Sequence, residues 1–220
     1  MLSAAAIVAL HDQRTRAWHL PPEAGGAIAP EYAEPGADRA VEPEAGSDWL
    51  DTVARQHRAN FDLWHIEDEA RAPGATDAEV AGVKRRVDAT NQRRNDLTEE
   101  LDRALLGWLD ALGLPNPEAP LHSEPPGLIV DRLSILALKI YHTRQEAERA
   151  DAPAGHAERN RERLAILEEQ RADLAGCLDA LWIETLAGAR RFKLYRQLKM
   201  YNDPSLNPAI YRKIRPENGG

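Results

Sequence analysis

The stretch that most constrains this chain runs from Gly127 to Ala150, GLIVDRLSILALKIYHTRQEAERA. Placed on a helix at about 100° per residue, Ile129, Leu133, Leu136 and Ile140 share one face. Leu128, Asp131, Ile135, Leu138 and His142 occupy the opposite face, with Lys139 at its flank. A surface helix of a globular protein carries a single apolar stripe. A helix that is apolar on two sides must have neighbours on both, so this segment is expected inside a helical bundle. Its second face also sets an acid, a base and an imidazole among aliphatics, which points to a site without naming a reaction.

The chain has 220 residues, enough for one sizeable core or for a domain with an appendage. Its net charge of −8, with basic residues interleaved among acids, argues against a general nucleic-acid or anionic-membrane binder. The single Cys177 excludes an intrachain disulfide and fits a reducing compartment. Leu2 to Leu10 is apolar, but no positive segment precedes it and His11-Asp12-Gln13-Arg14 follows, which is unlike a signal peptide. No stretch is long enough to span a bilayer. The expected setting is the cytoplasm.

Before the central segment, Leu2 to about Arg16 reads as a short helix, with Trp18-His19 after it as an anchor or a surface aromatic. Pro21 to Gly46 holds five prolines and few large apolar residues, so it reads as a linker or surface loop. This composition divides the chain into an N-terminal part, 1–46, and a helical-bundle domain, 47–220. A helix is expected from Ser47 to about Ala72, with an inward stripe of Leu50, Val53, His57, Phe61, Trp64, Asp68 and Arg71. Thr76-Asp77-Ala78-Glu79 is a capping box opening a second helix, which ends near Leu112-Gly113. Its stripe is Val80, Val83, Val87, Asn91, Arg94, Thr98, Leu101, Leu105 and Leu112. A proline-rich connection from Gly113 to Pro126 leads into the central helix. A last long helix is expected from His156 to Ala187, and a short amphipathic piece from Phe192 to Met200. With no repeat and no hairpin signal, the fold class is all-α, a bundle of four long helices with short pieces at both termini.

Polar residues interrupt these stripes in three places. On the first long helix, Trp64, Asp68 and Arg71 share a face with Glu67 at its edge, and Asp68 and Arg71 are spaced to pair; His65 points away from that stripe. The next helix turns Asn91 and Arg94 inward with Asn95 on the flank, a grip for a carboxylate or phosphate, or else partners for Asp68 or Asp131 in a structural network. The central helix carries Asp131, Lys139 and His142, the last able to move a proton near neutral pH. A metal centre is the rival use of such residues. The paired Glu-x-x-His signature of di-metal bundles is missing from the inward faces, and Asp62-x-x-His65 has the spacing but points outward. No ligand set is therefore assigned, and a mixed site drawn from His57, His65, Glu67, Asp68 and His142 stays open. There is no P-loop, dinucleotide fingerprint or G-x-S-x-G.

Asn60-Phe61-Asp62-Leu63-Trp64-His65-Ile66-Glu67-Asp68 with Ala70-Arg71 resembles the signature of a bacterial family called domain of unknown function 4254. Asn91-Gln92, Arg94-Asn95-Asp96, Ile129 to Leu136 and Lys139-Ile140-Tyr141-His142 fit the same pattern, as do Tyr195, Gln197, Lys199 to Pro204 and Asn207-Pro208. The resemblance spans about Trp18 to Tyr211; the Pro21 to Gly46 insert matches none of it. It implies no catalytic assignment. Its loose association with glycosyltransferases points to sugar or nucleotide-sugar biosynthesis. What it adds is a choice of polar residues: Trp64, His65, Glu67, Asp68, Arg71, Asn91, Arg94, Asn95, Asp131, Arg132, Lys139, His142, Lys199, Tyr201 and Asn202.

The expectation is a single polar hollow in the bundle that binds a small anionic ligand of the sugar-phosphate or nucleotide-sugar class. His65, Glu67, Asp68 and His142 would do acid–base chemistry there. Trp64, Arg71, Asn91, Arg94, Asn95, Asp131, Lys139, Lys199, Tyr201 and Asn202 would hold the ligand. The alternatives are a non-catalytic helical adaptor beside a partner enzyme such as a glycosyltransferase, and a metal-dependent hydrolase. Oligomeric state is not legible.

Overall fold

A computed structural model describes residues 2–20, 47–198 and 205–208. The chain is all-α, with helices α1 (Ala4–His19), α2 (Ser47–Ala70), α3 (Asp77–Asp110), α4 (Pro126–Glu148) and α5 (His156–Leu186). The Pro21 to Gly46 stretch lies outside the described residues. Among those described, no helix is long and apolar enough to cross a membrane.

The central segment is α4, and it packs against all four other helices. Ile129, Val130 and Leu133 meet Ala4 and Ile7 of α1, Val53 of α2, Leu101 of α3 and Leu174, Leu178 and Leu181 of α5 in one core. Burial of such side chains stabilises the fold by about 1.5–3 kcal/mol each, which is why a two-faced α4 finds partners on both sides. α1, on the far side of the compositional boundary at residue 46, packs into this same core.

The helix ends follow their local chemistry. Thr76 and Glu79 form the reciprocal capping box that opens α3. α4 has no side-chain cap at Pro125, so its first turn is satisfied from another helix: the Gly127 N–H donates to Asp102 Oδ1 at 2.6 Å. Only glycine permits that approach, because a Cβ on residue 127 would stand 2.5 Å from the Thr98 carbonyl oxygen.

The stripes surface sooner than their periodicity implied. Val53, His57 and Phe61 are buried on α2, but Leu50, Asp68 and, just past its end, Arg71 are exposed; on α3, Val83, Thr98, Leu101 and Leu105 are buried while Val80 and, beyond the helix end, Leu112 face solvent. Periodicity marks a face and not where the neighbouring helix ends. The segment after α5 also differs from expectation. Residues 192–198 are not helical; Arg191 pairs with Leu121 in an isolated parallel bridge, and Phe192 is buried beside Leu105, Leu109 and Trp182.

Candidate functional site

The last turn of α1, the C-terminal third of α2 and the C-terminal half of α4 bring His19, His65 and His142 together, each half-buried. Each imidazole offers a ring nitrogen such that the three nitrogens lie within 4.8 Å of one another. Aromatic rings wall the cluster. Trp64 stacks on His142 with centroids 4.7 Å apart and planes 8° from parallel. Tyr141 stacks on His19 at 4.3 Å, and Phe61 meets His65 edge-on at 4.5 Å.

Two of the three rings have their orientation fixed from behind. His19 Nδ1–H donates to the Thr15 carbonyl at 2.7 Å, and His142 Nδ1–H donates to Gln145 Oε1 at 3.2 Å. Since a neutral imidazole has one donor and one acceptor nitrogen, these bonds make Nε2 the acceptor in both. The Nε2 atoms of His19, His65 and His142 are all buried without a hydrogen-bond partner among the described residues. Burial holds the His19 and His142 pKa values below the ordinary imidazole range, and the neighbouring His65 pushes the same way on both; Asp68 pulls His142 back up. Both rings are therefore neutral at pH 7, with bare lone pairs.

The other expected site residues divide. Trp64, His65 and His142 belong to the cluster, and Asp68, exposed one turn after His65, acts on the charge of His142. Glu67 and Arg71 instead pair with each other on the surface at 3.1 Å, a one-turn contact that leaves Asp68 out. Asp62 is held by Arg58 at 2.7 Å and Arg93 at 3.7 Å, which occupies it as a counter-ion. Lys139 is exposed in a separate groove of about 780 Å³ between α4 and α5, with His122, Arg132 and Asp173. Lys199, Tyr201 and Asn202 lie outside the described residues.

Asp131 and Arg94 belong to a third place, a buried network. Asp131 Oδ1 accepts from Gln56 and Asn60 and lies 3.8 Å from Arg94 Nε. Arg94 also donates to Asn95 Oδ1 at 3.5 Å, while Asn91 Oδ1 has no partner among the described residues. Burial pushes the Asp131 carboxyl up, against the opposing pull of Arg94, Asn60 and Gln56. Asn60 Nδ2 donates to Ser134 Oγ at 2.9 Å, and Ser134 in turn donates to His57 Nδ1 at 2.7 Å. His57 Nε2–H faces the His11 carbonyl at 3.1 Å and the Thr15 hydroxyl at 2.9 Å. Burial lowers the His57 pKa to about 3, so this ring stays neutral. A serine hydroxyl on an imidazole is the arrangement of an activated nucleophile. Ser134 and His57 are both 0 % exposed, however, so no substrate reaches them and the pair serves the fold.

Sequence reasoning thus reached two of the three clustered imidazoles and missed the functional meaning of His19. That residue closes α1 three positions beyond the expected helix end, and its relation to His65 exists only once α1 has docked. Of the mixed set considered from sequence, His57, Glu67 and Asp68 fall outside the three-nitrogen cluster, and His19 enters it.

No curated protein and no solved structure matches the chain. One family profile, described as a protein of unknown function (DUF4254), matches residues 50–194, which includes most of α2 and all of α3 to α5 with His65 and His142 but not α1 with His19. The match covers well over half of the sequence, and the chain therefore belongs to the DUF4254 family.

Proposed function

We propose that the protein is an enzyme acting on a small polar substrate, with its active site where the end of α1 meets α2 and α4. One observation carries this reading: three half-buried imidazoles bring ring nitrogens within 4.8 Å of one another, and the Nε2 of each has no hydrogen-bond partner among the described residues. A buried polar nitrogen left without a partner costs about 1–3 kcal/mol, and three such costs in one place favour a site kept for something other than protein. Neutral imidazoles with free lone pairs are suited to accept a proton or a Lewis acid at pH 7. Asp68 favours positive charge on His142. Trp64, Phe61 and Tyr141 supply flat apolar walls of the kind that receive a sugar or base ring.

The sugar-phosphate and nucleotide-sugar class remains the substrate class of choice, with a different anion-holding arm. Arg71 points to the surface and Lys139 sits in another groove, whereas the Arg58 guanidinium, paired through Nε with Asp62 at 2.7 Å, lies 5.1 Å over the Phe61 ring that packs on His65. We place the activity in bacterial biosynthesis in the cytoplasm, the setting implied by the resemblance and by a single exposed thiol, Cys177. An adaptor role would leave the three bare nitrogens without a purpose.

The test is a thermal-shift screen of nucleotide sugars and sugar phosphates against wild type, His142→Phe and Arg58→Ala. At least one compound is expected to raise the wild-type Tm by several degrees and to lose its effect in both variants. No response from wild type would remove the substrate class, and an equal response from His142→Phe would remove the site.

A further inference from the structure

We infer that His19, His65 and His142 form a binding site for one divalent first-row transition metal, held through their Nε2 atoms with at least one coordination position open. This rests on the active-site reading above and deepens it by assigning the cofactor. The competing account is plain ring packing. Packing explains the contacts with Trp64, Tyr141 and Phe61, but phenylalanine or leucine would pack as well without burying three unpartnered nitrogens.

Three features fit a metal. First, the nitrogens are already close. Tetrahedral coordination at Zn–N distances of about 2.0–2.1 Å puts ligand nitrogens about 3.3 Å apart. From separations of at most 4.8 Å, ring rotations closing about 1.5 Å suffice. Second, the tautomers are set. A metal-ligating histidine almost always donates its other ring N–H to a carbonyl or a carboxylate, and the Thr15 carbonyl and the Gln145 amide oxygen take that part behind His19 and His142. Third, the ligand chemistry is selective. Three imidazole ligands suit Zn²⁺, Co²⁺, Ni²⁺, Cu²⁺ or Fe²⁺ and do not suit Mg²⁺ or Ca²⁺, which require oxygen ligands. Three protein ligands with an open position is also the arrangement of a catalytic rather than a structural zinc site.

The site is made by three separate helices, with His19 contributed by the residue that ends α1. Metal binding and the docking of the last turn of α1 are therefore coupled: a metal bound to all three ligands holds that turn against α2 and α4.

The test uses the full-length chain, dialysed against chelator and titrated with Co²⁺. The visible absorption of the Co²⁺ complex gives stoichiometry and affinity, with Zn²⁺ as competitor. One Co²⁺ per chain is expected, displaced by Zn²⁺. His19→Phe, His65→Phe and His142→Phe are each expected to weaken binding by about tenfold or more. The remote His122→Ala and His156→Ala should bind as wild type does. Phenylalanine keeps the ring contacts while removing the donor nitrogen, and chelator-treated melts show which variants fold. Should one of them unfold, a Zn²⁺ concentration-dependent rise in wild-type Tm supplies the second readout. Absence of stoichiometric uptake, or equal binding by the folded phenylalanine variants, overturns the assignment. If metal fails to bind while a sugar phosphate or nucleotide sugar still stabilises wild type and not His142→Phe, the metal site falls and the active-site reading stands. If metal binds as expected and no compound responds even to the loaded protein, the substrate class falls and the metal site stands.

Discussion

The indole of Trp64 on α2 lies almost parallel to the imidazole of His142 on α4, with centroids 4.7 Å apart and an angle of 8° between their planes. Together with the Nδ1–H bond to Gln145, this stack fixes both the plane and the tautomer of His142. Trp64→Ala is expected to cost about 1–3 kcal/mol of stability and to weaken metal binding, while Trp64→Phe restores most of both. Urea unfolding and the Co²⁺ titration measure the two effects. An alanine variant that binds Co²⁺ as wild type does would show that the stack does not orient the ring.

Thr15 serves two neighbours with different atoms. Its carbonyl holds His19, and its hydroxyl holds His57 in the buried network. Thr15→Val keeps the first and removes the second. A loss of about 1–2 kcal/mol in denaturant unfolding is expected, with Co²⁺ affinity unchanged. A parallel fall in affinity would mean that the buried network and the histidine cluster act as one unit.

Gly127→Ala should be among the most damaging small substitutions. The added Cβ would stand 2.5 Å from the Thr98 carbonyl oxygen and 2.9 Å from the Asp102 carboxyl, both fixed by α3. Separating α3 from α4 to admit it would also break the cap on α4. The expected cost is about 3 kcal/mol, read as a lower urea midpoint. Unchanged stability would contradict the close packing of these helices.

Asp102 gives a pH signature. Burial pushes its carboxyl from 3.8 up to about 7, with Glu99 adding in the same direction and the Gly127 N–H opposing. The folded chain therefore holds the proton more tightly than the unfolded chain does. The stability this contributes is fully present below about pH 4 and is lost as pH rises through about 7. Asp102→Asn keeps an oxygen for Gly127 and removes the titration. The stability difference between the Asp102→Asn variant and wild type, followed by thermal melts from acid to neutral pH, should grow in favour of the variant up to about pH 7 and then level off. His57 works with the opposite sign: its folded value near 3 means that stability is lost as pH falls below the ordinary imidazole range. A flat difference profile would show that Asp102 titrates normally.

The helices were legible because their caps and periods are local. The Thr76–Glu79 box, the breaks at Pro73-Gly74 and Asp151 to Gly155, and the doubled apolar faces of α4 all express short-range rules that tertiary context left standing. The candidate site was only half legible, for a physical reason. Periodicity shows which residues share a face of one helix, but not which faces of different helices meet, nor where along its length a helix loses its neighbour. Asp131, Arg94 and His142 all interrupt apolar faces, yet Asp131 is absorbed by Gln56, Asn60 and Arg94, Arg94 by Asp131 and Asn95, and only His142 joins the imidazoles. Glu67 and Arg71 looked like site residues and are a surface pair. His19 was invisible because its partners come from helices far along the chain. The segment after Arg191 was misread for a different reason: Phe192 fits an amphipathic helix as readily as it fits a single anchor dropped into the Leu105–Trp182 cluster.

The central claim is that the Nε2 atoms of His19, His65 and His142 are bare and convergent. Long-range ¹⁵N–¹H correlation of the imidazole rings, before and after one equivalent of Zn²⁺, reports this at each of the seven histidines. The expected result is a proton on Nδ1 of His19 and His142 in the free protein, followed by Zn²⁺-induced shifts of Nε2 at His19, His65 and His142 and at no other histidine. Protonated Nε2 atoms at His19 and His142, or Zn²⁺ shifts falling instead on His122 or His156, would contradict it.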